Sequence, residues 1–225
     1  MTFLVLVLGG LLVVGGIGYL AYASNKKRQA ALALIASNHR WSYADPGDQG
    51  WVNAFNGAPF GLGHSRGVDA EISGAAPCGK PFALFDYHYV ETESDGQNSQ
   101  EHTYNFHVLA IQTGLAYPAL FVSHENSLVR MWDAISGDDI DLEDEQFNRK
   151  YRVRSSDRKF ANDILTPRTM EALKGWPYGG TFSWQNGYLL WSTSGRWDPP
   201  QVETLVSNLD WFVTAIPSFL YDPNT

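Results

Sequence analysis

The stretch Phe82 to Thr113, FALFDYHYVETESDGQNSQEHTYNFHVLAIQT, decides the fold. Its flanks, FALFDYHYVE (82–91) and HTYNFHVLAIQT (102–113), are rich in aromatic and β-branched residues. The middle, TESDGQNSQ (92–100), is polar and carries a glycine. That pattern predicts two long antiparallel strands joined at a solvated tip. Upstream, Val68 to Ser73 alternates apolar and polar residues as a strand, and downstream Ala119 to Ser123 supplies another. Phe147 to Arg154 sets Phe147, Arg149, Tyr151 and Val153 against Asn148, Lys150, Arg152 and Arg154, which predicts a half-buried strand with a cationic outer stripe. On that parity Arg149 faces inward and needs an acidic partner. Asn186-Gly187 between Thr181–Trp184 and Tyr188–Thr193 is a strong hairpin signal.

Helices follow from caps and spacing. Asp157 opens a short one over about Arg158 to Leu165. Thr166, with Pro167 at the first helical position, opens a second, which Gly175 closes and in which Arg168 is given a bracing role. Asp198 and Pro199 start a last helix whose Val202, Leu205, Val206, Leu209, Phe212, Val213 and Ile216 recur on one face, which must cover a sheet. Residues 44–67 are rich in Gly, Pro, Asp and Asn and read as irregular, with at most short structure around Trp51 to Phe55. The expected class is α+β, an antiparallel β-rich domain of seven or so strands with two short helices and a C-terminal amphipathic helix. A pleckstrin-homology-like split barrel is one topology of that kind.

The N-terminus carries a different signal. Phe3 to Ala23 contains no charge over 21 residues, about 31 Å as a helix, enough to cross a hydrocarbon core. No basic residue precedes it, so a cleaved signal peptide does not fit. Lys26, Lys27 and Arg28 follow immediately and place the C-terminal side in the cytoplasm by the positive-inside rule. Gly9, Gly16 and Ala23 recur every seven residues along one helix face, a stripe against which a second helix packs closely. QAALALIAS (29–37) contains no breaker and prolongs the helix as a stiff stalk. The expected organisation is a transmembrane helix over 1–24, a juxtamembrane stalk over 25–40 and one cytoplasmic α+β domain over 41–225.

The 225-residue chain has 16 basic and 24 acidic residues, a net charge of −8. Setting aside Lys26, Lys27 and Arg28 leaves 13 against 24, or −11, which disfavours nucleic acid. The single cysteine, Cys78, excludes an intrachain disulfide framework and agrees with a reducing compartment. No phosphate-loop motif occurs, the glycines of GLGHSRG (61–67) are too widely spaced for a dinucleotide fingerprint, and His124-Glu125 is no zincin because position 128 is Leu. No catalytic residue, cofactor site or metal site is therefore assigned. Asp86 and His88 share a strand parity, as do Asn105 and His107 on the partner strand, and Asp86, His88 and His107 would be the candidates of an unrecognised enzyme. DDIDLEDE (138–145) and RKYRVRSSDRK (149–159) are adjacent charge blocks that neutralise each other or, through Lys150, Arg152 and Arg154, offer a stripe to anionic lipid or an acidic partner.

EQFNRKYRVRSSDRKFANDILTPRTMEAL (145–173) resembles an uncharacterised family of bacterial, largely actinobacterial, membrane-anchored proteins. The resemblance rests on Phe147-Asn148-Arg149, Val153, Asp157, Phe160-Ala161 and Leu165-Thr166-Pro167-Arg168. It brings no established activity and implies no catalytic residue. The expected role is a noncatalytic, membrane-tethered interaction domain, an accessory subunit or assembly factor of a larger integral membrane complex, with a respiratory supercomplex as one conceivable host. A small-ligand sensor gated near Trp176 to Tyr178 and an enzyme of unrecognised type are the alternatives.

Overall fold

Strands β3 (Pro81–Ser94) and β4 (Ser99–Gln112) form the long hairpin, paired in unbroken register from Phe82 opposite Ile111 to Ser94 opposite Ser99. These coordinates are a computed structural model that describes residues 2–96, 98–115, 118–124, 138–196 and 198–221, without the side chains of residues 2–18 and 21. Around the hairpin lie β1 (Ser42–Ala44), β2 (His64–Ala75), β5 (Leu120–His124), β6 (Asp138–Asp139), β7 (Tyr151–Ser155), β8 (Thr181–Gln185) and β9 (Tyr188–Ser194). All nine join one antiparallel sheet in the order β1-β2-β3-β4-β9-β8-β5-β7-β6. The fold is α+β, as the strand and helix signals predicted.

The split barrel is not what forms. Among the described residues β1 and β6 each have one partner, so the sheet is open, and it is covered on both faces instead of closing. One face carries Ile72, Leu84, Leu109, Ile111, Val122, Val153, Phe182 and Trp191 under the helices. The other carries Val68, Phe85, Tyr87, Phe106, Val108 and Leu190 under Phe55 and Phe60. Burial on both sides explains why FALFDYHYV reads as a nearly continuous apolar run where a half-exposed strand would alternate. The irregular region before β2 is thus a core layer: Trp51, on a 3-10 turn over Gln49–Asn53, stacks on Phe85 with ring centroids 5.3 Å apart, and Phe60 lies 5.0 Å from Tyr87.

Among the described residues four helices pack in the domain besides the N-terminal one. They are α2 (Glu145–Lys150), α3 (Arg158–Ile164), α4 (Pro167–Lys174) and α5 (Val202–Thr214). The caps Asp157 and Thr166 accept from the N–H groups of Phe160 and Thr169, as their positions predicted. All seven residues expected on the inner face of the last helix are buried. At Phe147–Arg154 the prediction of a strand is corrected. Asp144 accepts from the Phe147 N–H at 2.9 Å and starts α2, so only Tyr151 onward is strand. The same residues satisfy helical spacing: Phe147 and Tyr151, four apart, stack at 4.8 Å.

Helix α1 runs unbroken over Thr2–Asn38. Its last third is not a free stalk, because Leu32 and Ala36 are buried in the helix-covered core of the sheet and Ile35 packs against it. Residues 22–27 are exposed, so α1 leaves the domain just before Arg28. Among the described residues no helix is long and apolar enough to cross a membrane. The run Phe3–Ala23 falls mostly on side chains outside that description, as do Gly9 and Gly16; Ala23 is exposed.

Candidate functional site

Where α1 meets the sheet, its apolar face ends in charge. Register places Asp86 of β3 directly opposite His107 of β4 and His88 opposite Asn105, all on the face that α1 covers. Asp86 is 2 % exposed. Its Oδ2 lies 2.7 Å from Nη2 of Arg28 and its Oδ1 lies 3.8 Å from Nδ1 of His107. Arg28, four residues before Leu32 and eight before Ala36, therefore continues the buried stripe of α1 as its charged end. This corrects the reading of Arg28 as one of three equivalent flanking cations: Lys26 and Lys27 are exposed, whereas the Arg28 side chain is 16 % exposed and holds the sheet.

The next residue of α1 repeats the grip. Gln29 donates to the Asp45 carboxylate, which also accepts from the Tyr43 hydroxyl at 3.3 Å. Burial, reinforced by Asp45, pushes the Tyr43 hydroxyl up to about 12. Beside this group His88 Nδ1 sits 3.1 Å from Asp69, and Arg196 reaches the same carboxylate at 3.6 Å. Gly67 gives His88 its room, since a Cβ there would lie 2.8 Å from the ring. At the other end of the docked segment, Trp41 stacks on His39 at 4.5 Å and lies over Gly74, where a Cβ would come within 2.3 Å of the indole.

The two histidines share a face but serve different acids, His107 at Asp86 and His88 at Asp69. Among the described residues no three His, Cys, Asp or Glu side chains could hold a metal ion. A buried carboxylate between a guanidinium and an imidazole can exchange ion-pair partners, and its guanidinium fixes the rotation of α1.

The motif at 145–173 has a different job. Phe147, Tyr151, Val153 and Phe160 are core. Lys174 Nζ bridges Asp144 at 2.9 Å and Glu171 at 2.5 Å; its hydrogen bond, with that from the Phe147 N–H, holds the Asp144 carboxyl below its usual range. Tyr151 donates to the Leu173 carbonyl at 2.5 Å and Lys150 to that of Lys174 at 2.6 Å. Arg149 is corrected from an inward strand residue to one 80 % exposed on α2, 3.6 Å from Glu145. The expected cationic stripe does not form, because Lys150 is on the helix and Arg154 pairs with Asp139 at 2.9 Å, leaving Arg152 as its exposed member. Arg168 braces α4 against α5 by lying 5.2 Å over the Trp211 ring. Trp176 is likewise no gate: it packs on Phe182, Trp191 and Phe212. A cleft of about 350 Å³ lies on the opposite sheet face, lined by Phe55, Phe60, Leu62 and Phe121.

Strand parity marks Asp86 and His88, and Asn105 and His107, as sharing faces; the register that opposes Asp86 to His107 and the pairing of Arg28 with Asp86 are not encoded locally. A basic residue after an apolar run reads as a membrane flank, and only the i, i+4, i+8 relation of Arg28, Leu32 and Ala36 marks it as domain-facing.

Residues 112–177, under a third of the chain and spanning β5 to α4, match the family described as protein of unknown function DUF3137. No curated protein matches the chain. Among solved structures, the chain is similar to the crystal structure of the mycobacterial trehalose monomycolate transport factor A, TtfA. That likeness has a TM-score of 0.55 at 8 % identity and covers 84 % of this chain and 96 % of that one, so the two share a fold.

Proposed function

We propose that the protein is a noncatalytic accessory factor of a membrane transport assembly, tethered by the apolar half of α1. The observation that carries this reading is the division of α1. Arg28 to Ala36 are built into the sheet, while the same unbroken helix continues for 26 residues, Thr2 to Lys27, beyond it. A helix fixed in this way holds the domain at a set distance and rotation from whatever its apolar half enters, which suits a part that must present a surface to a fixed neighbour. The fold shared with a transport factor supports a transport host over a respiratory one.

In this reading Phe3 to Ala23 crosses the bilayer and Lys26 and Lys27, both exposed, face anionic headgroups, each contributing about 1 kcal/mol. The domain is cytoplasmic. Gly9, Gly16 and Ala23, recurring every seven residues, are the stripe that would take a partner helix. Purification of the full chain from its own membranes in mild detergent, followed by mass spectrometry, is the test. Stoichiometric recovery with integral transport components is expected; recovery of the chain alone under conditions that preserve membrane complexes would refute it.

A further inference from the structure

The accessory reading leaves unexplained why a nearly dry carboxylate, Asp86, sits between two different cation-forming groups at the joint of the molecule. An apolar pair at positions 28 and 86 would dock the helix without a buried charge, since ion pairs out of water gain little over apolar packing. What the arrangement adds is competition. We propose that Asp86 is an anchor shared by Arg28 and His107, so that the docked part of α1 is a proton-sensitive latch. With His107 neutral, Asp86 has one full countercharge, the Arg28 guanidinium at 2.7 Å. When His107 takes up a proton, its imidazolium 3.8 Å from Oδ1 becomes a second countercharge, the carboxylate–imidazolium pair is neutral as seen from α1, and the guanidinium faces a like charge. His107 cannot retreat, being held in β4 between β3 and β9. Arg28 can, because α1 on its N-terminal side is exposed.

The charged groups around the joint agree on which end opens. Asp45, just after β1, is held by Gln29 and the Tyr43 hydroxyl, so the residue next to Arg28 on α1 carries its own anchor. His88 of β3 is committed to Asp69 of β2, which also takes Arg196 after β9, so this neighbouring triad does not relieve the competition at Asp86. At the far end of the docked segment His39 lies 3.5 Å from Glu203, a contact that protonation strengthens. Release therefore begins at Arg28 while His39 stays attached. The latch acts on the domain's angle to α1 and needs no assumption about what the apolar half of α1 enters, so it can fail while the accessory reading stands, and the reverse.

Hydrogen exchange of the full chain in detergent micelles, corrected for the intrinsic pH dependence of exchange, reads the latch directly. The amides of residues 30–36 are expected to lose at least tenfold in protection between pH 7.5 and pH 5.5, while those of β8 and β9 keep theirs. His107→Gln should keep residues 30–36 protected at both pH values, and His88→Gln should switch as the wild type does. Asp86→Asn should be unprotected there at both; Arg28→Met supplies the same undocked reference if that variant does not fold. Protection of residues 30–36 that is independent of pH in the wild type, or that falls equally in His107→Gln, would overturn the proposal.

Discussion

Replacing Tyr87 by Phe should stabilise the protein, and more so at high pH. The ring is 0 % exposed and packs 5.0 Å from Phe60, and the hydroxyl has no hydrogen-bond partner among the described residues. A buried hydroxyl without a partner costs about 1–3 kcal/mol, so removing the oxygen while keeping the ring should gain on the order of 1 kcal/mol at pH 8. Burial pushes the Tyr87 hydroxyl up to about 12 against a usual 10, with Arg66 opposing the shift. Below pH 10 both folded and unfolded states hold the proton and the residue adds no pH dependence. Between pH 10 and pH 12 the unfolded chain has lost it and the folded chain has not, so stability falls as pH rises, by about 1.4 kcal/mol at pH 11 and about 2.7 kcal/mol once both have ionised. The advantage of Phe over Tyr should therefore widen by about 1.4 kcal/mol from pH 8 to pH 11. Urea denaturation of both proteins in detergent at the two pH values measures it, with the pH-sensitive Tyr43 common to both. A Phe variant less stable at pH 8 by about 1 kcal/mol would mean that the hydroxyl is bonded. A gap that does not widen by pH 11 would refute the burial argument.

Phe147→Ala should destabilise by about 3–5 kcal/mol in equilibrium denaturation, because the ring is fully buried and stacks on Tyr151. Asp157→Ala should cost about 1 kcal/mol in the same assay, the value of an N-cap whose carboxylate accepts from Phe160, and Asp157→Asn should recover most of it. Arg149→Ala should change stability by no more than about 0.5 kcal/mol, since its ion pair with Glu145 is exposed. For topology, Thr2→Cys should be labelled from outside intact cells by an impermeant maleimide, with the domain protease-protected until the membrane is opened. Digestion of the domain in intact, wall-stripped cells would reverse that orientation.

The elements that could be read from sequence are those whose signals are local. The hairpin from Phe82 to Thr113, the caps Asp157 and Thr166, the Asn186-Gly187 turn and the stripe from Val202 to Ile216 each depend on neighbours within a few residues. Reading failed where two periods fit the same residues. Phe147 and Tyr151 satisfy both strand alternation and helical spacing, and the choice is made by the cap Asp144, three residues before Phe147. The layer formed by Trp51, Phe55 and Phe60 lies in irregular backbone, where glycine and proline interrupt any periodicity from which burial can be read. At the site, parity grouped Asp86 with His88 and Asn105 with His107 but left open the register that sets Asp86 opposite His107, and Arg28 comes from more than fifty residues away, where no local pattern encodes which acid a distant arginine will meet.

The division of α1 into an apolar half and a half that belongs to the domain is tested most directly by comparing two N-terminal truncations, one beginning at Lys26 and one at Trp41. The first keeps Arg28, Leu32 and Ala36; it should leave the membrane on alkaline carbonate extraction and unfold in urea at the midpoint of the full chain's domain. The second exposes the bed of Leu32 and leaves Asp86 without its guanidinium, losses of about 2–5 and 3–5 kcal/mol, so it should unfold in urea at a midpoint well below that of the full chain's domain. A chain beginning at Lys26 that stays in the membrane pellet, or a chain beginning at Trp41 that folds with the full-length midpoint, would contradict the account.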